Sequence, residues 1–392
     1  MSPKIDNSPA SSSPLAAAMQ ELAEEEIERE TTQLIEDRSK EVKAKINAAA
    51  GQLAEEPKEE DEGAVKSKEP PQKRKVLALD NFGCYTLPSS DLEKCTALER
   101  LFIHENYIDE LPEGLNKCVQ LRHLYLYDNR VKEIPEGMCK LLTKLEVLLA
   151  HKNSLTGLPR SVAELINLRI LNLGENRLGK HELETGAEPA LPEEVGTLIS
   201  LEQLLLSHND LAQLPHSMCD MAGLRVLQLA HNRLTSLPNE LCGIGQHGRL
   251  KILNLHCNQL KKLPKDIGLM TCLEELVLSF NQLEELPESF IHLRALTVCI
   301  LADNQLKTLP DALGELTKLH TLSLFNNHLV TLPLSLKELI ATTKGFKLDI
   351  FNNSHNYIDP DADCDCVNPD PDTGCGTCIR LYIMDHKDPL YV

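Results

Sequence analysis

The stretch LRHLYLYDNRVKEIP, Leu121 to Pro135, carries the pattern that decides the fold of this 392-residue chain. The same arrangement stands before it as LERLFIHENYIDELP, from Leu98 to Pro112, and after it as LEVLLAHKNSLTGLP, from Leu145 to Pro159. Aligned on their asparagines, ten copies of LxxLxLxxNxLxxLP follow one another, mostly 23 residues apart. A repeat of this length predicts a solenoid of stacked units. The ten asparagines are Asn106, Asn129, Asn153, Asn176, Asn209, Asn232, Asn258, Asn281, Asn304 and Asn327.

Each part of the period has a physical role. In the LxL segment alternate side chains share a face, so Leu101 and Ile103 are expected to point inward and Phe102 and His104 outward. One short strand cannot bury its leucines alone, but stacked strands form a parallel sheet over a continuous core. We expect each asparagine amide to pair with backbone groups of its own turn and the next one. The Leu-Pro step and the residues after it predict a turn and a helical segment on the outer side.

The chain divides into three regions by composition. Residues 74–355 form the repeat array, with degenerate ends at Leu77–Pro88 and Leu348–Asn353. Residues 1–73 read as a mostly disordered arm with a helix near 15–47, because polar, charged stretches flank a segment rich in Ala, Glu, Lys and Leu. An insertion at 179–190 lengthens one repeat interval to 33 residues; it is either a tolerated surface loop or part of a functional side. Residues 356–392 form an acidic, cysteine-rich tail.

The repeat resembles the leucine-rich-repeat superfamily, in its intracellular 23-residue class with LPxxL, over roughly residues 74–355. Within that class HLYLYDNRVKEIP is similar to the repeats of the Ras-pathway leucine-rich-repeat scaffold. The resemblance implies a horseshoe, an α/β solenoid with a parallel concave β-sheet and short helical or irregular convex segments. It also implies a non-enzymatic scaffold that binds a partner protein on the concave face, in intracellular signalling.

The outward strand positions are the candidate protein-binding face. Tyr125 and Tyr127 are the best anchors, because exposed aromatics on one face are typical of binding hot spots; packing between neighbouring strands is the alternative interpretation. His208 and His231 should lie roughly 5 Å apart on adjacent strands. They form either a metal-binding or pH-sensitive pair, with Cys257 as the one nearby thiol, or solvated polar neighbours. The predicted protein-binding residues are Phe102, His104, Tyr125, Tyr127, Asp128, His151, Lys152, His208, His231, Phe280 and Phe325.

The tail contains the other candidate site. Cys364 and Cys366 precede Cys375 and Cys378, and four thiols at such spacing can surround a tetrahedral zinc ion. A structural zinc is therefore the one cofactor that the sequence indicates. Two alternatives to zinc remain. Cys-Asp-Cys resembles the start of the cysteine-rich caps of extracellular leucine-rich-repeat proteins, which implies disulfides, although that motif continues with a Trp that this chain lacks and no secretory signal is visible at residues 1–10. Free thiols in an acidic tail are the other alternative.

Charge and missing motifs exclude several classes of function. The formal net charge of -19 argues against nucleic acid and anionic membrane surfaces as partners. No apolar run reaches the roughly 18 residues of a membrane span. No phosphate loop, nucleophile elbow or HExxH motif occurs, so we expect neither an enzyme nor a small-molecule substrate. We predict a cytoplasmic location, with the nucleus as the alternative. An adaptor in a ubiquitin-ligase or phosphatase complex is the alternative function.

Overall fold

The computed structural model describes residues 71–73, 75–87, 89–180, 189–247, 249–350 and 353, together with the backbone of 369–370 and 374–375. The predicted N-terminal arm and its helix therefore lie outside the described residues, apart from a 3-10 turn at Pro71–Lys73. The centre of the insertion, 181–188, lies outside them as well.

Twelve strands form one open parallel sheet in which each strand pairs with its neighbours in sequence. Each strand is only three residues long, and its central residue faces the central residue of the next strand, as Leu101 faces Leu124 and Leu124 faces Leu148. The strands are β1 Val76–Ala78, β2 Arg100–Phe102, β3 His123–Tyr125, β4 Val147–Leu149, β5 Ile170–Asn172, β6 Gln203–Leu205, β7 Val226–Gln228, β8 Ile252–Asn254, β9 Glu275–Val277, β10 Val298–Ile300, β11 Thr321–Ser323 and β12 Lys347–Asp349.

Short helices on the outer side connect the strands. Most begin directly after the proline of the repeat, for example Pro135 and Pro215, because proline presets the extended backbone angle from which the turn starts. The α-helices are Ser89–Leu92, Glu136–Leu141 and Leu334–Thr342. The 3-10 helices between strands are Glu113–Lys117, Arg160–Glu164, Glu193–Thr197, His216–Asp220, Asn239–His247, Ile267–Leu269, Glu288–His292 and Leu313–Glu315. Among the described residues no helix is both long and apolar enough to cross a bilayer.

The core is a continuous stack of aliphatic side chains between the sheet and these helices. Leu98, Leu101, Ile103 and Ile108 of one repeat are fully buried, and the equivalent positions of later repeats are buried in the same way. Cys299 replaces the central leucine of β10 and is completely buried, so burial raises the pKa of its thiol. Such a thiol acts as a small apolar filler.

The repeated asparagines form a ladder of side-chain hydrogen bonds. The Nδ2 of Asn129 donates to the carbonyl oxygens of Ile103 and Leu126 at 2.9 and 3.0 Å, and its Oδ1 accepts from the N–H of Ile108 at 3.0 Å. Each asparagine thus pairs with its own turn and with the preceding repeat. We expected each asparagine to pair with the repeat that follows it, and this was wrong. The carboxamide instead pairs with carbonyl and N–H groups of the repeat that precedes it, which lie within hydrogen-bond distance of it.

The insertion departs from and rejoins the array at fixed points. Gly179 has φ +85°, and a Cβ there would lie 2.7 Å from the carbonyl oxygen of Asp210, so the departure point needs glycine. On the return side the carbonyl of Ala190 accepts a hydrogen bond from the N–H of Leu158 at 2.8 Å. The insertion therefore leaves the strand register of β5 and β6 intact.

Candidate functional site

The residue before each ladder asparagine has a left-handed backbone, and this shapes the outward face of the sheet. From Glu105 to Asn326 these residues have φ between 49° and 58°, and Asn81, which precedes Phe82 in the degenerate first repeat, has φ 53°. Ordinary strand alternation would send two successive side chains to opposite faces. The left-handed residue breaks that alternation, so two successive side chains approach each other, as the 3.1 Å contact between His256 Nε2 and Cys257 Sγ shows.

Phe102 and Tyr125 stack on each other across β2 and β3. Their ring centroids are 4.5 Å apart and their planes differ by 3°. Both residues are only 4% exposed. The expectation that these rings are open to solvent was therefore wrong: they lie on the outward face, but each ring covers its neighbour. Phe325, at the other end of the array, is also buried, with 5% exposure, and was likewise expected to be exposed.

His104, Tyr127 and His151 form a second stack, half-buried, on three successive repeats. The centroid distances are 4.4 Å from His104 to Tyr127 and 4.6 Å from Tyr127 to His151. Burial lowers the pKa of His151 to about 4, so the imidazole is neutral at neutral pH. Asp128 and Lys152 are exposed beside this stack, as the sequence predicted.

Four polar atoms on the outward face are buried without a hydrogen-bond partner. They are the Nδ1 atoms of His104 and His151, the Oε1 of Gln203 and the Nε2 of Gln228. Among the described residues these are the buried side-chain nitrogen and oxygen atoms that lack a partner. Gln203 and Gln228 lie in β6 and β7, and His104 and His151 lie two residues after β2 and β4. A buried polar group without a partner costs about 1–3 kcal/mol.

Exposed aromatics that the sequence analysis did not single out lie on the turns of the first repeats. Tyr85 and Tyr107 stack with centroids 5.1 Å apart and are 64% and 44% exposed. The guanidinium of Arg130 lies 4.8 Å from the centroid of the Tyr107 ring, and Phe82 is 57% exposed. The repeat pattern could have predicted the exposure of these side chains. Tyr107 and Arg130 both follow a ladder asparagine directly, at a position that faces away from the core.

Histidines form a third row in the middle of the array. The rings of His208 and His231 stack with centroids 4.1 Å apart, and His256 meets His231 edge-on at 5.0 Å. His208 and His231 are exposed, and Phe280, which is 42% exposed, meets His256 at 5.4 Å. The predicted closeness of His208 and His231 is therefore present. Burial and the neighbouring histidines lower the pKa of His256 to about 4, and burial raises the pKa of Cys257 to about 11.

The side chains of the four tail cysteines lie outside the described residues. The described backbone pairs Pro369 with Cys375 and Asp370 with Gly374 in an antiparallel ladder. The proposed zinc ligands Cys364, Cys366, Cys375 and Cys378 stay a prediction.

Comparisons with known proteins identify the family. The model of a leucine-rich repeat region matches residues 220–352, and the leucine rich repeat model matches residues 119–178. A leucine-rich-repeat protein of Leptospira interrogans is 30% identical, with a TM-score of 0.50, over 74% of this chain and 82% of that chain. An open parallel solenoid with an asparagine ladder is thus the class of structure. The chain belongs to the leucine-rich-repeat family.

Two solved protein complexes contain chains with a similar fold. A chain of the Drosophila Toll–Spatzle complex is 26% identical, with a TM-score of 0.59, over 69% of this chain and 35% of that chain. A chain of the complex of the Arabidopsis receptor kinase HAESA with the peptide hormone IDA and the co-receptor SERK1 is 27% identical, with a TM-score of 0.59. That match covers 76% of this chain and 50% of the other. This chain therefore spans between about a third and a half of the length of those two chains. No curated protein sequence matches it.

Proposed function

We propose that this chain is a non-enzymatic scaffold in intracellular signalling. It binds a partner protein on the strand face of its array, which is the outward face of the twelve-stranded sheet. The observation that carries the proposal is the set of buried, unpartnered polar atoms on that face, at His104, His151, Gln203 and Gln228. In the free chain those atoms bear the cost of having no partner. Rotation of the His and Gln side chains towards a bound protein that supplies donors and acceptors removes that cost. The face is therefore better satisfied in a complex than alone.

Aromatic side chains near the same strands support this proposal. The chain has only seven Phe and seven Tyr. Tyr127 lies half-buried between His104 and His151, and amphipathic rings of this kind are enriched in binding hot spots. The structures that resemble the chain include chains of the Toll–Spatzle complex and of the complex of the receptor kinase HAESA with the peptide hormone IDA.

The test compares stability and partner capture in one variant. Gln228→Met removes a buried polar atom without a partner and keeps the side-chain length, so the free chain should be no less heat-stable than wild type. Affinity capture of partners by the full chain should nevertheless weaken. Gln305→Met, at an exposed position after a ladder asparagine, is the matched control and should change neither quantity. If Gln228→Met captures the same partners in the same amounts, the strand face around β7 is not the binding surface.

A further inference from the structure

His231, His256 and Cys257 form a cluster of metal-ligating side chains on the strand face. One ligand atom from each residue can be chosen so that all three lie within 4.8 Å of one another. His231 is exposed, and His256 and Cys257 are half-buried, so the cluster can be reached from solvent. Among the described residues no other group of three His, Cys, Asp or Glu side chains approaches as closely.

The backbone holds the three residues in place through the repeat itself. The N–H of His231 donates to the carbonyl of His256 at 2.8 Å, and the N–H of Cys257 donates to the carbonyl of Ser279 at 2.9 Å. His231 and Cys257 occupy the left-handed position of adjacent repeats, with φ 54° and 52°. This backbone turns Cys257 towards the side on which His256 lies, and Nε2 of His256 is 3.1 Å from Sγ of Cys257.

A neighbouring hydroxyl orients the central imidazole. The Nδ1 of His256 lies 2.8 Å from the Oγ of Ser279, and Ser279 is fully buried. With Nδ1 carrying the proton and donating to that oxygen, Nε2 keeps its lone pair and faces Cys257. Metal-binding histidines are typically held in this way, by a hydrogen bond from the ring nitrogen that does not bind the metal.

We propose that His231, His256 and Cys257 bind a zinc ion, through two imidazole nitrogens and one thiolate. A mixed nitrogen and sulfur donor set favours zinc over magnesium or calcium, which take oxygen ligands. Zinc bonds of about 2.0–2.3 Å place ligand atoms roughly 3.3–3.7 Å apart in a tetrahedron. Rotation of the exposed His231 side chain closes the remaining gap without repacking the core. The thiol proton of Cys257 leaves to solvent when zinc binds.

Cobalt(II) replaces zinc as a coloured probe in the first test. The full chain is used with the four tail cysteines changed to serine, so that a tail metal cannot contribute. We expect one equivalent of cobalt to give a thiolate-to-metal charge-transfer band that zinc then abolishes. Cys257→Ser and His231→Ala should each remove the band, whereas Ser279→Ala should weaken cobalt binding about 10- to 100-fold. Cys219→Ser and His320→Ala, which lie outside the cluster, should keep the band.

A second test needs no substitution in the array and so is independent of folding defects. Zinc should slow the alkylation of Cys257 in the wild-type chain, read by peptide mass spectrometry. Cys219, a half-buried thiol outside the cluster, should react at the same rate with and without zinc. An unchanged Cys257 rate overturns the proposal, as does a cobalt band that survives Cys257→Ser. Either result would assign the contact between His256 and Cys257 to local packing alone. Partner capture is not part of these readouts, so their outcome is separate from that of the scaffold proposal.

Discussion

The ring of Tyr125 lies parallel to the ring of Phe102, 4.5 Å away, and each residue exposes only 4% of its surface. The pair therefore contributes to stability as well as to the shape of the strand face. A substitution at Tyr125 changes both, whereas the half-buried Tyr127 in the adjacent stack is better suited to a test of binding.

Tyr125→Ala should lower the free energy of unfolding by about 2–3 kcal/mol, through lost apolar burial and lost stacking on Phe102. Tyr127→Ala should cost about 1 kcal/mol, because its ring is less buried. Urea unfolding followed by circular dichroism measures both. Partner capture should fall with Tyr127→Ala, and Ile199→Ala, at a 60% exposed residue outside the strands, should leave capture unchanged. Equal stability of the two tyrosine variants would contradict the stacking argument.

Asn281→Ala should lower the free energy of unfolding by about 2–4 kcal/mol. The change leaves the carbonyl oxygens of Leu255 and Leu278, each 2.9 Å from Nδ2, and the N–H of Leu260 without their side-chain partner. Denaturant unfolding gives the size of the loss. Asn239→Ala serves as the control, since Asn239 is exposed, begins the outer 3-10 helix Asn239–His247 and has no part in the asparagine ladder. If Asn281→Ala lowers the free energy of unfolding by less than the control variant does, the ladder is not a main source of stability.

The stability of the array should fall as the pH drops below about 6.5, in part through His151. In the unfolded chain this imidazole takes up its proton near pH 6.5, but burial lowers its pKa to about 4 in the folded chain. Above pH 6.5 the imidazole is neutral in both states, so His151 costs the folded chain no stability. As the pH falls from 6.5 towards 4, the free energy of unfolding decreases by about 2 kcal/mol at most, once the partial exposure of the imidazole is allowed for. The charged and titratable neighbours that modify this pKa are Glu175, Lys152, Asp128 and His104.

Unfolding in urea at pH 7 and pH 4.5 measures this effect. His151→Gln should have a smaller loss of stability between the two pH values than the wild type, because the substituted side chain does not titrate. If the variant and the wild type lose the same amount, His151 is as accessible to protons in the folded chain as in the unfolded one.

Purified full chain should contain zinc at its tail, bound by Cys364, Cys366, Cys375 and Cys378. Metal analysis should show that Cys375→Ser/Cys378→Ser removes this zinc. The matched control is Cys257→Ser, which affects the array cluster and leaves the tail zinc in place. Absence of zinc from a chain purified without chelators, with the thiols reduced, would rule out the tail site.

The sequence by itself determined the parallel stack, because each strand pairs with the strand one repeat away and the leucines and asparagines recur at fixed spacing. It also determined which side chains leave the core, since alternation follows from strand geometry. Only the tertiary structure decided which of those side chains are covered. Strands about 4.8 Å apart bring equivalent aromatic rings into contact, so Phe102 and Tyr125 bury each other although both point outward.

The cluster of His231, His256 and Cys257 likewise depends partly on sequence spacing and partly on the tertiary structure. Sequence spacing places His208 beside His231, but the approach of Cys257 to His256 depends on a left-handed backbone angle of 52° at Cys257. That angle follows from the turn which the asparagine ladder holds. Cysteine itself has no preference for it.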